Sequence, residues 1–146
     1  MSKIEDINEL DMLFEGNGIT NFTGKEICNG WDIPDELLLN ILPTVMCLQI
    51  LRDYYKKPIY PNSTYRSPDY NKAVNGAKNS LHLRFNAIDF TVKNHKDLNR
   101  LYLFLDFKDI SSGFGFLPKN SLGLKQYETF IHLDTRTTLG MRKARW

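Results

Sequence analysis

The chain has 146 residues, 42% hydrophobic and 25% charged, the balance of an ordinary globular domain and not of a disordered segment. That length is one domain's worth and buries a sizeable core. A net charge of +2 is too small to argue for nucleic acid, and no apolar run approaches the length of a membrane span.

Met1–Asn21 is polar with scattered Leu and Phe and ends in a Gly16-Asn17-Gly18 turn. Residues 1–20 read as an N-terminal extension without chemistry, and their acidic start is not that of a signal peptide. Thr23 and Glu26 have the spacing of a capping box, which starts a short helix. Asp32-Ile33-Pro34 caps the next helical stretch, and Pro43 divides it into Glu36–Ile41 and Thr44–Tyr55. Cys28 and Cys47 form no C-x-x-C, and Cys47 falls on an apolar helix face, so nothing asks for a disulfide.

Pro58-Ile59-Tyr60 predicts a short strand. Ser67-Pro68 then reads as the cap and first residue of a helix running to about Val74, ended by Asn75-Gly76. Ala87–Val92 alternates as a strand, with Ala87, Asp89 and Thr91 on one face and Ile88, Phe90 and Val92 on the other. A helix from about Asp97 to Phe107 follows, then strands over Ile110–Phe116 and Tyr127–Asp134 joined by a long turn with Pro118, Asn120 and Gly123. The basic end, Arg142-Lys143-Ala144-Arg145-Trp146, reads as a solvated tail over residues 137–146. Helices come first and strands then surround one helix. The expected fold is a single α+β domain over residues 1–146, a small mostly antiparallel sheet with helices packed around it.

His82 and Asp89 are the residues to weigh for chemistry. Their seven-residue separation is about 10.5 Å of rise on a helix, too far for one ion, and in a regular strand it sends them to opposite faces. A shared metal therefore requires a turn between Leu83 and Asn86, with Asp89 in the strand beyond it. Of the three histidines, His95 lies in a polar link, while His132 alternates with Phe130 and Asp134 on one strand face. Two His and one Asp make a zinc set with a fourth position for water. The same residues also fit two satisfied core histidines and an aspartate in a turn network.

Four blocks bear on that choice. Ser80-Leu81-His82 with Ala87 and Asp89 resembles the S-x-H-x-x-G-x-A-x-D signature of the D-alanyl-D-alanine carboxypeptidase (VanY-like) zinc peptidases. These belong to the peptidoglycan-cleaving group that includes lysostaphin-type enzymes and the hedgehog fold. Tyr65-Arg66-Ser67-Pro68-Asp69-Tyr70-Asn71, Ser112-Gly113-Phe114-Gly115-Phe116-Leu117-Pro118 and Phe130-Ile131-His132-Leu133-Asp134-Thr135-Arg136 are similar to three further blocks of that family, in the same order.

The resemblance implies one Zn2+ held by His82, Asp89 and His132, and cleavage of peptidoglycan stem peptides by carboxypeptidase or endopeptidase action. Arg66 would grip the substrate's carboxylate or carbonyl, and Ser80 would orient His82. Asp134 is the expected general base, on the same strand face as His132, with Glu128 as the fallback. Relatives often place an acid three residues before the last histidine, where this chain has Thr129. Where they carry glycine in the turn, it has Phe85. Either Asn86 takes the left-handed position or the site is altered. The rival reading is a non-catalytic wall-binding or virion component that keeps the fold. For a wall enzyme, a start unlike a signal peptide suggests a phage product that acts after lysis or in a particle, with other lysis or virion proteins as partners.

Overall fold

The computed structural model describes residues 3–146. Five α-helices and five strands make an α+β fold: α1 Ile4–Gly16, α2 Gly24–Cys28, α3 Leu42–Tyr55, β1 Tyr60–Ser63, α4 Pro68–Ala73, β2 Ala87–Thr91, α5 Leu98–Ser111, β3 Gly123–Gln126, β4 Ile131–Asp134 and β5 Ala144–Arg145. The sheet runs in the order β1-β2-β4-β3-β5. All neighbours are antiparallel except β3 and β5, which run parallel.

The inner face of the sheet makes the core. Ile88, Phe90, Leu124, Ile131 and Leu133 are fully buried with Val45, Leu48 and Leu51 of α3 and Leu98, Leu101 and Leu105 of α5. The helical run Asp35–Tyr55 proves long and apolar enough by composition to cross a membrane. Its apolar face is spent inside the protein, since Val45, Cys47, Leu48 and Leu51 are all buried. A tight 3-10 turn over Asp35–Ile41 gives way to α3 with Pro43 in the first turn, where its missing N–H costs nothing.

Three segments depart from the sequence expectation. The N-terminal stretch is a helix, with Leu10 and Phe14 one turn apart and buried, while exposed Ile4 and Met12 blur the periodicity. Ile110–Phe116 is not a strand: α5 continues to Ser111, and Gly113 and Gly115 then take positive φ of 70° and 80°. The strand instead begins at Gly123, inside the expected turn. A Cβ there would collide with the Asp134 carboxylate and Arg136, so only glycine lets β3 approach β4. The C-terminal segment is not a solvated tail either, because Ala144–Arg145 pairs with Gly123–Leu124 as β5.

The turn that joins His82 to β2 is the fourth correction. Phe85, not Asn86, takes the left-handed conformation, with φ 51° and ψ 49°, and closes a 3-10 turn over Leu81–Arg84. Its ring is fully buried, edge-on to Tyr65 at 6.3 Å. The left-handed backbone costs about 1–2 kcal/mol, whereas truncating a buried phenyl costs roughly 3–5 kcal/mol. The ring therefore wins. Phe85→Gly is expected to destabilise the fold by about 2 kcal/mol, read as a lower denaturation midpoint, although glycine suits the backbone better.

Candidate metal centre

Asp89 on β2 stands directly opposite His132 on β4, and Ser63 and Lys125 extend the same row onto β1 and β3. His82 reaches that row from the 3-10 turn. Ser80 caps this turn, its hydroxyl accepting the His82 backbone N–H at 3.3 Å. One donor atom from each of His82, Asp89 and His132 lies within 4.8 Å of the others, and all three residues are buried. Exposed His95 takes no part.

The hydrogen bonds fix which ring nitrogens point inward. The Nδ1–H of His82 donates to the Thr64 carbonyl at 2.9 Å, leaving Nε2 as the lone-pair atom. That Nε2 lies 3.1 Å from Asp89 Oδ1 but out of line for a hydrogen bond. It is one of two buried side-chain polar atoms without a hydrogen-bond partner among the described residues. His132 turns its Nε2–H to Asp134 at 2.7 Å and its Nδ1 to Asp89 Oδ1 at 3.0 Å. The His82 lone pair and the Asp89 carboxylate thus face His132 Nδ1, which offers a third lone pair once its proton leaves. Acceptors gathered in this way are complementary to a cation. Their 3.0–3.1 Å spacings come close to the ~3.3 Å edge of a tetrahedron of donors around zinc. The donor set fits.

The charges agree with that reading. Burial would raise the Asp89 carboxyl, but the hydrogen bond from His132 and the closeness of both imidazoles outweigh it and hold the carboxyl well below the usual range. Burial would lower His132, yet Asp134 and Asp89 outweigh it and raise the imidazole above its ordinary value. In the metal-free protein a proton on His132 supplies the positive charge these carboxylates favour.

The remaining expected residues fall in different places. Arg66 stands beside the ligand set, its Nη2 3.6 Å from Asp89 Oδ2 and its Nη1 donating at 3.4 Å to buried Asn71. Asp134 is fully buried, on the far side of the His132 ring from Asp89. Its Oδ1 accepts the backbone N–H and Nε–H of Arg136, and its Oδ2 accepts from His132 and from Arg136 Nη2. Burial would raise this carboxyl as well, but His132 and Arg136 pull it below the ordinary range. A carboxylate so enclosed is held between the His132 ring and Arg136 and does not line the pocket that opens onto Asp89. Glu128 is exposed on the β3–β4 turn. It follows Tyr127, which borders the site.

A pocket of about 460 Å³ opens onto the ligands, lined by Arg66, Ser80, Tyr127, Arg136 and Trp146 among others. Tyr127, Arg136 and Trp146 were not singled out from sequence for this site. The D-x-R spacing of Asp134 and Arg136 was a usable signal for the second of these. Tyr127 and Trp146 carry no such signal.

No curated protein matches the chain significantly. The profile of the family described as Peptidase M15 matches residues 14–134, which takes in His82, Asp89, His132, Arg66 and Asp134. The chain belongs to the Peptidase M15 family.

Proposed function

We propose that this protein is a zinc peptidase that cleaves peptide bonds in the stem peptides of bacterial peptidoglycan. The observation that carries the reading is the convergence of His82 Nε2, His132 Nδ1 and Asp89 Oδ1 at the base of an open pocket, with Arg66 alongside. Zinc in that position would polarise the scissile carbonyl and make an attacking water more acidic. Arg66 offers a forked donor to the substrate's carboxylate or carbonyl. Asp134, itself gripped by Arg136, holds His132 in the tautomer that leaves Nδ1 free for the ion. Asp89 is the only carboxylate lining the pocket among the described residues, and it serves as a ligand. Glu128 does not line the pocket, but it is the exposed carboxylate on the turn beside pocket-lining Tyr127 and is our candidate for the proton-accepting role. Ser80 acts through the backbone, as the cap that fixes the His82 turn.

The test incubates the protein with sacculi of several wall types and identifies released muropeptides by mass. New peptide termini are expected, lost with chelator and restored by zinc. Arg66→Ala should lower activity at least tenfold with zinc content unchanged. Arg66→Lys should recover little, because a point charge does not reproduce a fork. Glu128→Gln should lower kcat and keep the metal. Binding to sacculi without release from any wall type would favour the non-catalytic reading, which is motivated by Phe85 in the turn and by Thr129, standing where relatives often carry an acid.

A further inference from the structure

The segment that carries Arg145 and Trp146 is held firmly and close to the candidate metal centre. Arg145 donates through Nε to Asp106 and through Nη2 to Asp109, both at 2.7 Å, and through Nη1 to the Leu122 carbonyl at 2.7 Å. Asp109 is fully buried and also accepts the backbone N–H groups of Ser121 and Leu122. Removing one partner of such a buried pair leaves the other charge uncompensated. The segment is thus anchored at Arg145. Its backbone continues the pairing, with Ala144 N–H donating to Leu122 and Trp146 N–H to Leu124.

That anchor delivers Trp146 to the ligand set. The indole lies 5.2 Å from the His132 ring, tilted by 60°, and 4.7 Å from the Arg136 guanidinium carbon. It therefore stacks on the cation that grips Asp134 and also packs against the imidazole that Asp134 orients. About half of the residue stays exposed, 51%, and it forms part of the pocket wall. A two-residue edge strand buries little of its own, with Ala144 and Arg145 both only half-buried. Its evident product is the position of this ring.

We propose that Trp146 is a positioning and specificity-determining residue. One side of the indole braces His132 and Arg136. The other side offers an apolar wall to a small apolar side chain, such as an alanyl methyl, on the substrate residue bound beside the ligands. The substrate half of this proposal rests on the peptidase reading, whereas the bracing half rests on contacts within the chain. Arg66 would hold the polar end of the substrate, and Trp146 would sort the side chain.

Two measurements decide it. Trp31 and Trp146 are the only tryptophans, so a Trp31→Phe background makes Trp146 the sole reporter. Zinc alone, titrated into that protein, is expected to change the emission saturably near one equivalent, and the change should vanish in Trp31→Phe/His132→Ala. In steady-state assays on a synthetic stem pentapeptide ending in D-alanyl-D-alanine, Trp146→Ala should raise KM about tenfold and change kcat less than threefold. Trp146→Phe should stay within threefold of wild type. Arg145→Ala, remote from the pocket, should reproduce the KM effect if its circular dichroism is native. If it does not fold, the half-exposed Trp146 variants decide alone. An emission indifferent to zinc overturns the bracing role, and a Trp146→Ala KM within twofold of wild type overturns the specificity role. A wild type that cleaves nothing but whose emission follows zinc counts against the peptidase reading and for the placement of Trp146.

Discussion

Asp89→Ala is expected to abolish zinc binding, lowering affinity by more than the roughly 100-fold that loss of an outer-sphere partner costs. Both inward nitrogens, His82 Nε2 and His132 Nδ1, converge on its Oδ1 at 3.1 and 3.0 Å. Without the carboxylate, two neutral imidazoles and the Arg66 guanidinium would have to accept a divalent cation. His82→Ala and His132→Ala should lose the metal too, while exposed His95→Ala should not. Calorimetric titration with zinc reads all four. The pH dependence has a definite sign. His132 is raised above its ordinary 6.5 in the metal-free protein, so a proton competes for Nδ1 already above that pH. Affinity should fall by about tenfold per unit as pH drops below the raised value, one proton being displaced. An affinity independent of pH between 5 and 8 would remove His132 from the ligand set.

Asp134→Asn is expected to weaken zinc roughly 10- to 100-fold and to lower stability as well. The wild-type carboxylate accepts on both oxygens from two directions. An amide replaces one acceptor by a donor, which takes either the Oδ2 place, against both His132 Nε2–H and Arg136 Nη2, or the Oδ1 place, against the Arg136 backbone N–H and Nε–H alone. In the Oδ2 place it drives the proton to Nδ1, the nitrogen the metal needs. In the Oδ1 place it sets donor against donor and leaves a mostly buried guanidinium without its counter-charge. A general base would behave otherwise, since its amide variant would bind zinc as wild type does and lose only turnover. The ratio of zinc affinity to kcat in this one variant therefore separates an orienting carboxylate from a proton acceptor.

The clustering of His82, Asp89 and His132 was legible in the sequence because each placement rests on a local rule. Alternation in Ala87–Thr91 and Ile131–Asp134 put Asp89 and His132 on definite faces, and the odd spacing from His82 demanded the turn that Phe85 now closes. The contacts of Asp134 were not legible. Strand parity correctly gave it the same face as His132, about 6.6–6.8 Å along the backbone. An imidazole bridges that interval, so their tips meet at 2.7 Å. Sharing a face with a ligand thus meant touching the ligand, not the water beyond it. Strands β3 and β5 were hidden for another reason. Gly123 reads locally as a turn, and its need for closeness to Asp134 is a tertiary fact. Arg145 reads as a surface cation until Asp106 and Asp109 of α5 are brought beneath it.

The pairing of Asp89 with His132 across β2 and β4 has a consequence for how this chain tolerates change. Every pocket-lining residue precedes Thr91 or follows Gln126, so the whole of α5 and the loop after it contribute none. Insertions near Gly115–Asn120 would lengthen that excursion without moving a ligand, because loop closure grows only slowly with length. A single residue added within β2 or β4 would do the opposite. It would shift the register by one, turn Asp89 or His132 towards Leu101 and Leu105, and expose Ile88 or Leu133 in exchange. Catalytic geometry and hydrophobic burial would be lost in the same step. Variation in this lineage should therefore collect in the excursion between the two strands, where length is cheap, and spare the nine positions of β2 and β4 themselves.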